Sequence, residues 1–190
     1  VFTSYVGMYH KQIFTNILFN YCHFENNIKI IPKYYQFFAT ELTVNKLYEI
    51  INSSSETSSN DDFKLGYLYH TQGSGKSITM LFLAKRIPQI TMRNWKIVFV
   101  TDRSELDKQL YKRLEDAKEY FGFSPTHINS RLELRLKIRE DDNPDIFTTT
   151  IQKFCSDTGQ ISNKRNIIVI ADEAHRSHNE TEIREIGKLN

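Results

Sequence analysis

Apolar residues recur at helical spacing in the N-terminal part of the chain and in short unbroken runs after it, and the two patterns predict different elements. From His10 to Phe24 the positions Ile13, Phe14, Ile17, Leu18 and Tyr21 lie one, three or four residues apart, the stripe of an amphipathic helix. Pro32 ends it. A second helix is predicted from about Lys33 to Ile51, with Tyr35, Phe38, Leu42, Leu47 and Ile50 turned toward the core. The tract NSSSETSSNDD, residues 52–62, has almost nothing to bury and reads as an exposed loop. Beyond Lys64 the texture changes. The runs GYLYH, KIVFVTD, PDIFTTT and NIIVIAD are β-branched and aromatic with little alternation, as expected of strands covered on both faces. Between them Lys76 to Ile87, Ser104 to Tyr120 and Arg131 to Arg139 read as helices, and Ser104 with Asp107 three residues on has the pattern of an N-terminal cap. The charge-laced stretch RLELRLKIRE, residues 131–140, reads as a solvated helix face. Strands that alternate with helices predict a parallel sheet in a three-layer α/β domain.

Composition narrows this picture only a little. The 190 residues, 39% of them hydrophobic, suffice for one sizeable core. A net charge of +2 does not announce a nucleic-acid partner, so any such role must come from motifs. Cys22 and Cys155 stand far apart without metal-ligand spacing, which fits reduced thiols and a cytoplasmic setting. No run reaches the roughly 18 apolar residues of a membrane span, and the N-terminus lacks the pattern of a signal peptide.

The chemistry begins at the stretch YLYHTQGSGKS, where a predicted strand passes through glycines into a predicted helix. That arrangement suits a multiply charged phosphate: glycines let backbone N–H groups curl round the oxygens, and a helix N-terminus adds positive character. Gly73 and Gly75 would shape the loop, Lys76 would reach the β- and γ-phosphates, and the Ser77 hydroxyl would hold Mg²⁺. A plain glycine turn that only reverses the chain has no need of Lys followed by Ser. The general pattern G-x-x-x-x-G-K-[ST] wants glycine where this chain has His70, so the loop is a variant. Downstream, NIIVIADEAH carries Asp172 and Glu173 off the end of an apolar strand. An acidic pair there is often only a solvated strand end. Joined to the phosphate loop, it supplies what ATP hydrolysis requires, with Asp172 for Mg²⁺ and Glu173 to orient and deprotonate the attacking water.

The stretches HTQGSGKSITMLFLA (70–84), VFVTDRSELDKQL (98–110), TTIQKF (149–154) and NIIVIADEAHRSH (166–178) carry a resemblance, with HFENNIKIIPKYYQFFA (23–39) upstream. They resemble the first RecA-like domain of superfamily 2 helicases and translocases, and more narrowly the motor in the R subunit of type I restriction enzymes. The likeness covers most of the chain from about residue 23 onward and is weak over 52–62 and 119–140.

The resemblance implies a RecA-like P-loop NTPase fold over residues 32–190, preceded by a helical linker over 1–31. It implies ATP and Mg²⁺ as cofactors, with Gln36 reading adenine and Thr71, Gln72, Gly73, Ser74, Gly75, Lys76 and Ser77 lining the phosphates. His175 and Arg176 would couple the hydrolysis site to the rest of the motor. Thr101 and Arg103, then Thr150, Gln152 and Lys153, would contact the backbone of double-stranded DNA. The implied partners are the modification and specificity subunits of a restriction complex. The nuclease domain and the second RecA-like domain are expected outside these residues, and these residues alone are expected to turn ATP over near background. Rival readings are another DEAH-type helicase, on DNA or RNA, and a non-catalytic nucleotide-binding assembly module. The intact set of Lys76, Ser77, Asp172 and Glu173 speaks against the module.

Overall fold

The chain divides into two units, Val1–Met92 and Arg93–Asn190. The structure, a computed structural model, describes residues 7–25, 27–53, 65–92, 94–140, 143–154, 162, 164 and 166–172. In the first unit, helix α1 (Lys11–Asn20) gives way to an antiparallel hairpin of β1 (His23–Glu25) and β2 (Ile28–Ile30). The segment before Pro32 is therefore not helical throughout. Asn27 takes a left-handed backbone (φ 65°) at the reversal, a conformation that asparagine tolerates better than most side chains.

Helix α2 (Tyr34–Ser53) has close to its predicted length but a different phase. Gln36, Phe37, Thr40, Val44 and Leu47 are buried, whereas Leu42, expected inside, is 70% exposed. Two apolar stripes compete on this helix, and packing chooses the one that includes two polar side chains. Thr40 bears burial because its hydroxyl donates to the Gln36 carbonyl at 2.8 Å. Helix α3 (Lys76–Thr91) packs along α2 and is buried from Thr79 through Ala84.

A polar joint ties the helices of this unit together. Glu41 of α2 accepts from the Tyr21 hydroxyl and, at 2.8 Å, from Nε of Arg86 on α3. The Arg86 guanidinium also lies over the Tyr21 ring, 5.6 Å from its centroid. Burial, and after it the Glu41 carboxylate, hold the Tyr21 hydroxyl protonated far above its ordinary range. Burial opposes the Arg86 charge, but the hydrogen bond and negative charge of Glu41 outweigh it and raise its proton affinity. Arg86→Met would leave Glu41 without its countercharge. Removing one partner of a buried pair costs about 3–5 kcal/mol. The Glu41 side chain keeps 19% exposure, so the loss is expected near the lower end, about 3 kcal/mol, in urea unfolding. A loss below about 1 kcal/mol would class the pair with exposed ones.

The second unit is built on parallel strands. Its elements are β3 (Lys96–Thr101), α4 (Ser104–Asp116), α5 (Lys118–Phe121), β4 (Thr126–His127), α6 (Arg131–Glu140), β5 (Asp145–Thr150), a 3₁₀ turn (Ile151–Phe154) and β6 (Ile167–Ala171). The sheet order is β4-β5-β3-β6, parallel throughout, with Val98 opposite Phe147 on one side and Val169 on the other. Every residue of β3 is buried, as its unbroken apolar run predicts. Val98, Val100, Phe147 and Ile167 pack with Leu134 and Ile138 of α6. That helix therefore buries one face, while Leu132 and Leu136 stay out.

Two further expectations need correction. The run GYLYH forms no strand among the described residues: positions 65–70 lack ladder partners, and Tyr67 and Tyr69 are 87% and 90% exposed. β-rich composition makes a segment extended, but only a hydrogen-bonded neighbour makes it a strand. The cap of α4 also differs, since Arg103 stands at the N-cap and no side chain bonds there. Asp107 is drawn away into a buried contact described below. Most of the tract 52–62 lies outside the described residues, as does Cys155. Among the described residues no helix is long and apolar enough to cross a membrane.

Candidate functional site

The first unit contains the glycine loop at the start of α3. Gly73 and Gly75 both have left-handed backbones (φ 76° and 85°), which glycine adopts without steric cost, and Gly75 is the N-cap of α3. Ser74 donates its N–H to the Thr71 carbonyl at 3.2 Å, closing a tight turn. Lys76 and Ser77 then open the helix, partly exposed, while Thr71, Gln72 and Gly73 face solvent. A Cβ on Gly73 would meet nothing within 4 Å, so open space lies over the loop. The Ser74 hydroxyl is buried with no hydrogen-bond partner, an atom that lacks an acceptor or donor in the protein itself. These features fit the phosphates of ATP, with Lys76 and the Ser77 hydroxyl as the charge and the Mg²⁺ ligand the chain would supply.

Gln36 sits differently from the adenine reader the resemblance implies. It is 2% exposed, and its amide is committed to the protein. Oε1 accepts from the Lys33 N–H at 2.9 Å, and Nε2 donates to the carbonyls of Ser74 (3.2 Å) and Gly75 (3.1 Å). Both contacts of the amide nitrogen are thus made to the loop. The neighbouring Tyr35 was predicted only as a core residue, yet its hydroxyl donates to the same Ser74 carbonyl at 2.7 Å. His70, which replaces the first glycine of the general motif, packs edge-on against the Tyr35 ring with centroids 5.1 Å apart. No local signal in YYQ separates Tyr35 from an ordinary core aromatic.

In the second unit the expected residues gather at the carboxyl end of the parallel sheet, where loops of α/β folds carry function. Asp172 follows β6 and donates its N–H to the Val100 carbonyl at 2.9 Å, which prolongs the ladder and holds the residue at that edge. Thr101 and Thr150 are partners in register but are 1% and 4% exposed. The Thr101 hydroxyl turns to the Arg103 carbonyl at 3.3 Å, so these threonines shape the edge rather than present hydroxyls outward. Arg103 projects, with 61% of its side chain exposed and a loose ion pair to Asp102 at 3.9 Å. Gln152 is exposed and donates to the Asp102 carbonyl at 2.6 Å, joining the two expected DNA-contacting segments.

Lys153 is engaged inside the protein. Its ammonium donates to the Ile128 carbonyl at 2.7 Å and lies 3.7 Å from Asp107. Asp107 is 1% exposed and also binds Nε2 of His127 at 2.9 Å. This buried carboxylate ties α4, β4 and the 3₁₀ turn into one body; the helical spacing of SELDKQL could not show that, because its partners lie 20 and 46 residues along the chain (127 − 107 and 153 − 107). Glu173, His175 and Arg176 lie outside the described residues.

The parallel α/β sheet of the second unit is that of a RecA-like ATPase domain, and similarity to known proteins agrees. The SWI2/SNF2 ATPase family model matches residues 35–189. The chain is 37% identical over 168 residues to the type I restriction enzyme HindI endonuclease subunit of Haemophilus influenzae, covering 85% of this chain and 15% of that protein. It is 31% identical over 176 residues to a Mycoplasma pneumoniae protein described provisionally as the C-terminal part of the type I restriction enzyme MpnIIP endonuclease subunit, covering 88% and 82%. The chain belongs to the SWI2/SNF2 ATPase family and stands within it among the endonuclease, or R, subunits of type I restriction enzymes. It spans about 15% of the length of the Haemophilus relative and 16% of a Methanocaldococcus jannaschii relative that it matches at 36% identity.

Proposed function

We propose that this chain is the ATP-binding motor part of a type I restriction enzyme R subunit, coupling ATP hydrolysis to translocation along double-stranded DNA ahead of cleavage by a nuclease domain. The observation that carries the reading is the loop Gly73–Ser77. Two left-handed glycines, an unpartnered buried hydroxyl, a lysine and a serine stand together at one helix start. Lys76 binds the β- and γ-phosphates. On the chemistry of their side chains, Ser77 and Asp172 are assigned to Mg²⁺, Glu173 to the attacking water, and His175 and Arg176 to coupling. Bound Mg²⁺ would neutralise charge developing on the phosphoryl oxygens. The complex would work in the cytoplasm with modification and specificity subunits, the latter reading the DNA sequence.

For DNA contact the reading relies on Arg103, the exposed guanidinium at the carboxyl end of the sheet, with Gln152 beside it. The test is steady-state ATP turnover of the full-length protein with and without duplex DNA, in wild type and Arg103→Ala. Wild-type turnover should rise with DNA of any sequence. Arg103→Ala should bind DNA more weakly across sequences, with a salt slope smaller by about one, as loss of a phosphate contact requires. Turnover indifferent to DNA would overturn the motor reading. An unchanged salt slope would return Arg103 to the role of a solvated helix cap.

A further inference from the structure

The end of α2 grips the phosphate loop from behind. The Ser74 carbonyl accepts from both the Tyr35 hydroxyl (2.7 Å) and Gln36 Nε2 (3.2 Å), and the Gly75 carbonyl accepts from Gln36 Nε2 (3.1 Å). A trans peptide is planar, with its C=O and N–H pointing in opposite directions. Holding the Ser74 oxygen against α2 therefore turns the Gly75 N–H to the other side; the Gly75 oxygen, held by the Ile78 and Thr79 N–H groups of α3 as well as by Gln36, sets the Lys76 N–H in the same way. Successive N–H groups turned to one side form the concavity that binds an anion. The contact is also close: a Cβ on Gly75 would fall 2.7 Å from Gln36 Nε2, so a side chain there would displace that amide from the loop.

We propose that Tyr35 is a positioning residue for phosphate recognition, holding the Ser74 carbonyl together with Gln36 so that the Gly75 and Lys76 amides face the β-phosphate. This rests on the reading of Gly73–Ser77 as a phosphate loop and adds to it a residue that never touches the nucleotide. Tyr35 is suited to the task because its ring is itself braced. His70 packs on its edge, and Lys33 lies 5.9 Å from its centroid. The hydroxyl thus arrives at the carbonyl with little freedom left to lose. Gln36 carries the second hold. To engage a base edge with Nε2, it would have to give up one of the loop carbonyls.

The test is Tyr35→Phe in the full-length protein, which deletes one hydroxyl and keeps the ring. Titration with ATP and with ADP, each with Mg²⁺, should show both affinities falling by a common factor of about five to ten, the worth of one hydrogen bond. The same bond exists in the unliganded protein, so the unfolding midpoint should fall only by the small amount that one hydrogen bond is worth, with the protein still fully folded under the conditions of the titration. A common factor is the signature, because ATP and ADP share the β-phosphate. The idea is overturned if Tyr35→Phe binds both nucleotides as wild type does, if only ATP is weakened, or if the midpoint falls so far that the protein is partly unfolded under the conditions of the titration. Lys76→Ala measured in parallel separates this from the underlying reading. If Lys76→Ala abolishes binding and Tyr35→Phe changes nothing, only the positioning role fails. If Lys76→Ala binds like wild type, the phosphate loop itself is misassigned.

Discussion

Lys76→Ala in the full-length protein is expected to abolish ATP binding in a titration with a fluorescent ATP analogue. The lysine opens α3 directly after the left-handed Gly75, so its ammonium leaves from the same turn that presents the loop amides. Backbone N–H groups supply partial charges only, and Lys76 is the one side-chain cation of the loop Thr71–Ser77. Truncating one partner of a desolvated charge pair costs about 2–5 kcal/mol, much of it from leaving the other charge unmatched. For a nucleotide held at micromolar affinity, that loss is roughly 30-fold to several thousand-fold and carries the Kd to between about tens of micromolar and a few millimolar. The substitution leaves α3 intact, because alanine is the best helix former and the Lys76 side chain is not part of the buried face. Equal affinities for wild type and Lys76→Ala would sink the assignment of the loop.

The second large effect separates binding from chemistry. Glu173→Gln should leave binding of ATP and DNA near wild-type values while turnover falls by about 10²–10⁴, the usual worth of a positioned general base. Glutamine keeps the shape and can still hydrogen-bond, but it cannot take a proton from the attacking water. Glu173 follows Asp172 in the chain, and the Asp172 N–H is fixed to the Val100 carbonyl at the end of the sheet. Single-turnover hydrolysis beside equilibrium binding is the measurement. Turnover within a few-fold of wild type would move the role of base to another residue, and a matching loss of ATP affinity would make Glu173 a binding group.

Both predictions use residues that could be read from one dimension. GSGKS and DEAH stand out because the chemistry expected of them is local: a phosphate loop would need its glycines, lysine and hydroxyl within one turn, and an acidic pair only a strand end. The strands β3, β5 and β6 were legible for a similar reason, since short runs of β-branched and aromatic residues without alternation suit strands covered by helices and neighbours. So was the parallel α/β class, which alternation of strands and helices dictates.

What the sequence could not determine were relations between segments far apart in the chain. The burial of Gln36 and Thr40 in place of Leu42 depended on which of two stripes met α3, and helical periodicity weighs both alike. The extended run at 65–70 has strand composition but no ladder among the described residues, because pairing is a property of neighbours. Lys153 looked like a free cation until Asp107 and the Ile128 carbonyl were seen to hold it. Tyr35 looked like a core aromatic until its hydroxyl was found on the Ser74 carbonyl, 39 residues away. Residue types and their spacing along the chain determined the glycine turn that opens α3, which rests on contacts within a few residues, and the α/β class, which the alternation of element types dictates. Only the tertiary structure decided which polar side chains orient that loop and which cations remain exposed, because those outcomes depend on hydrogen bonds and burial between segments that the chain's order does not bring together.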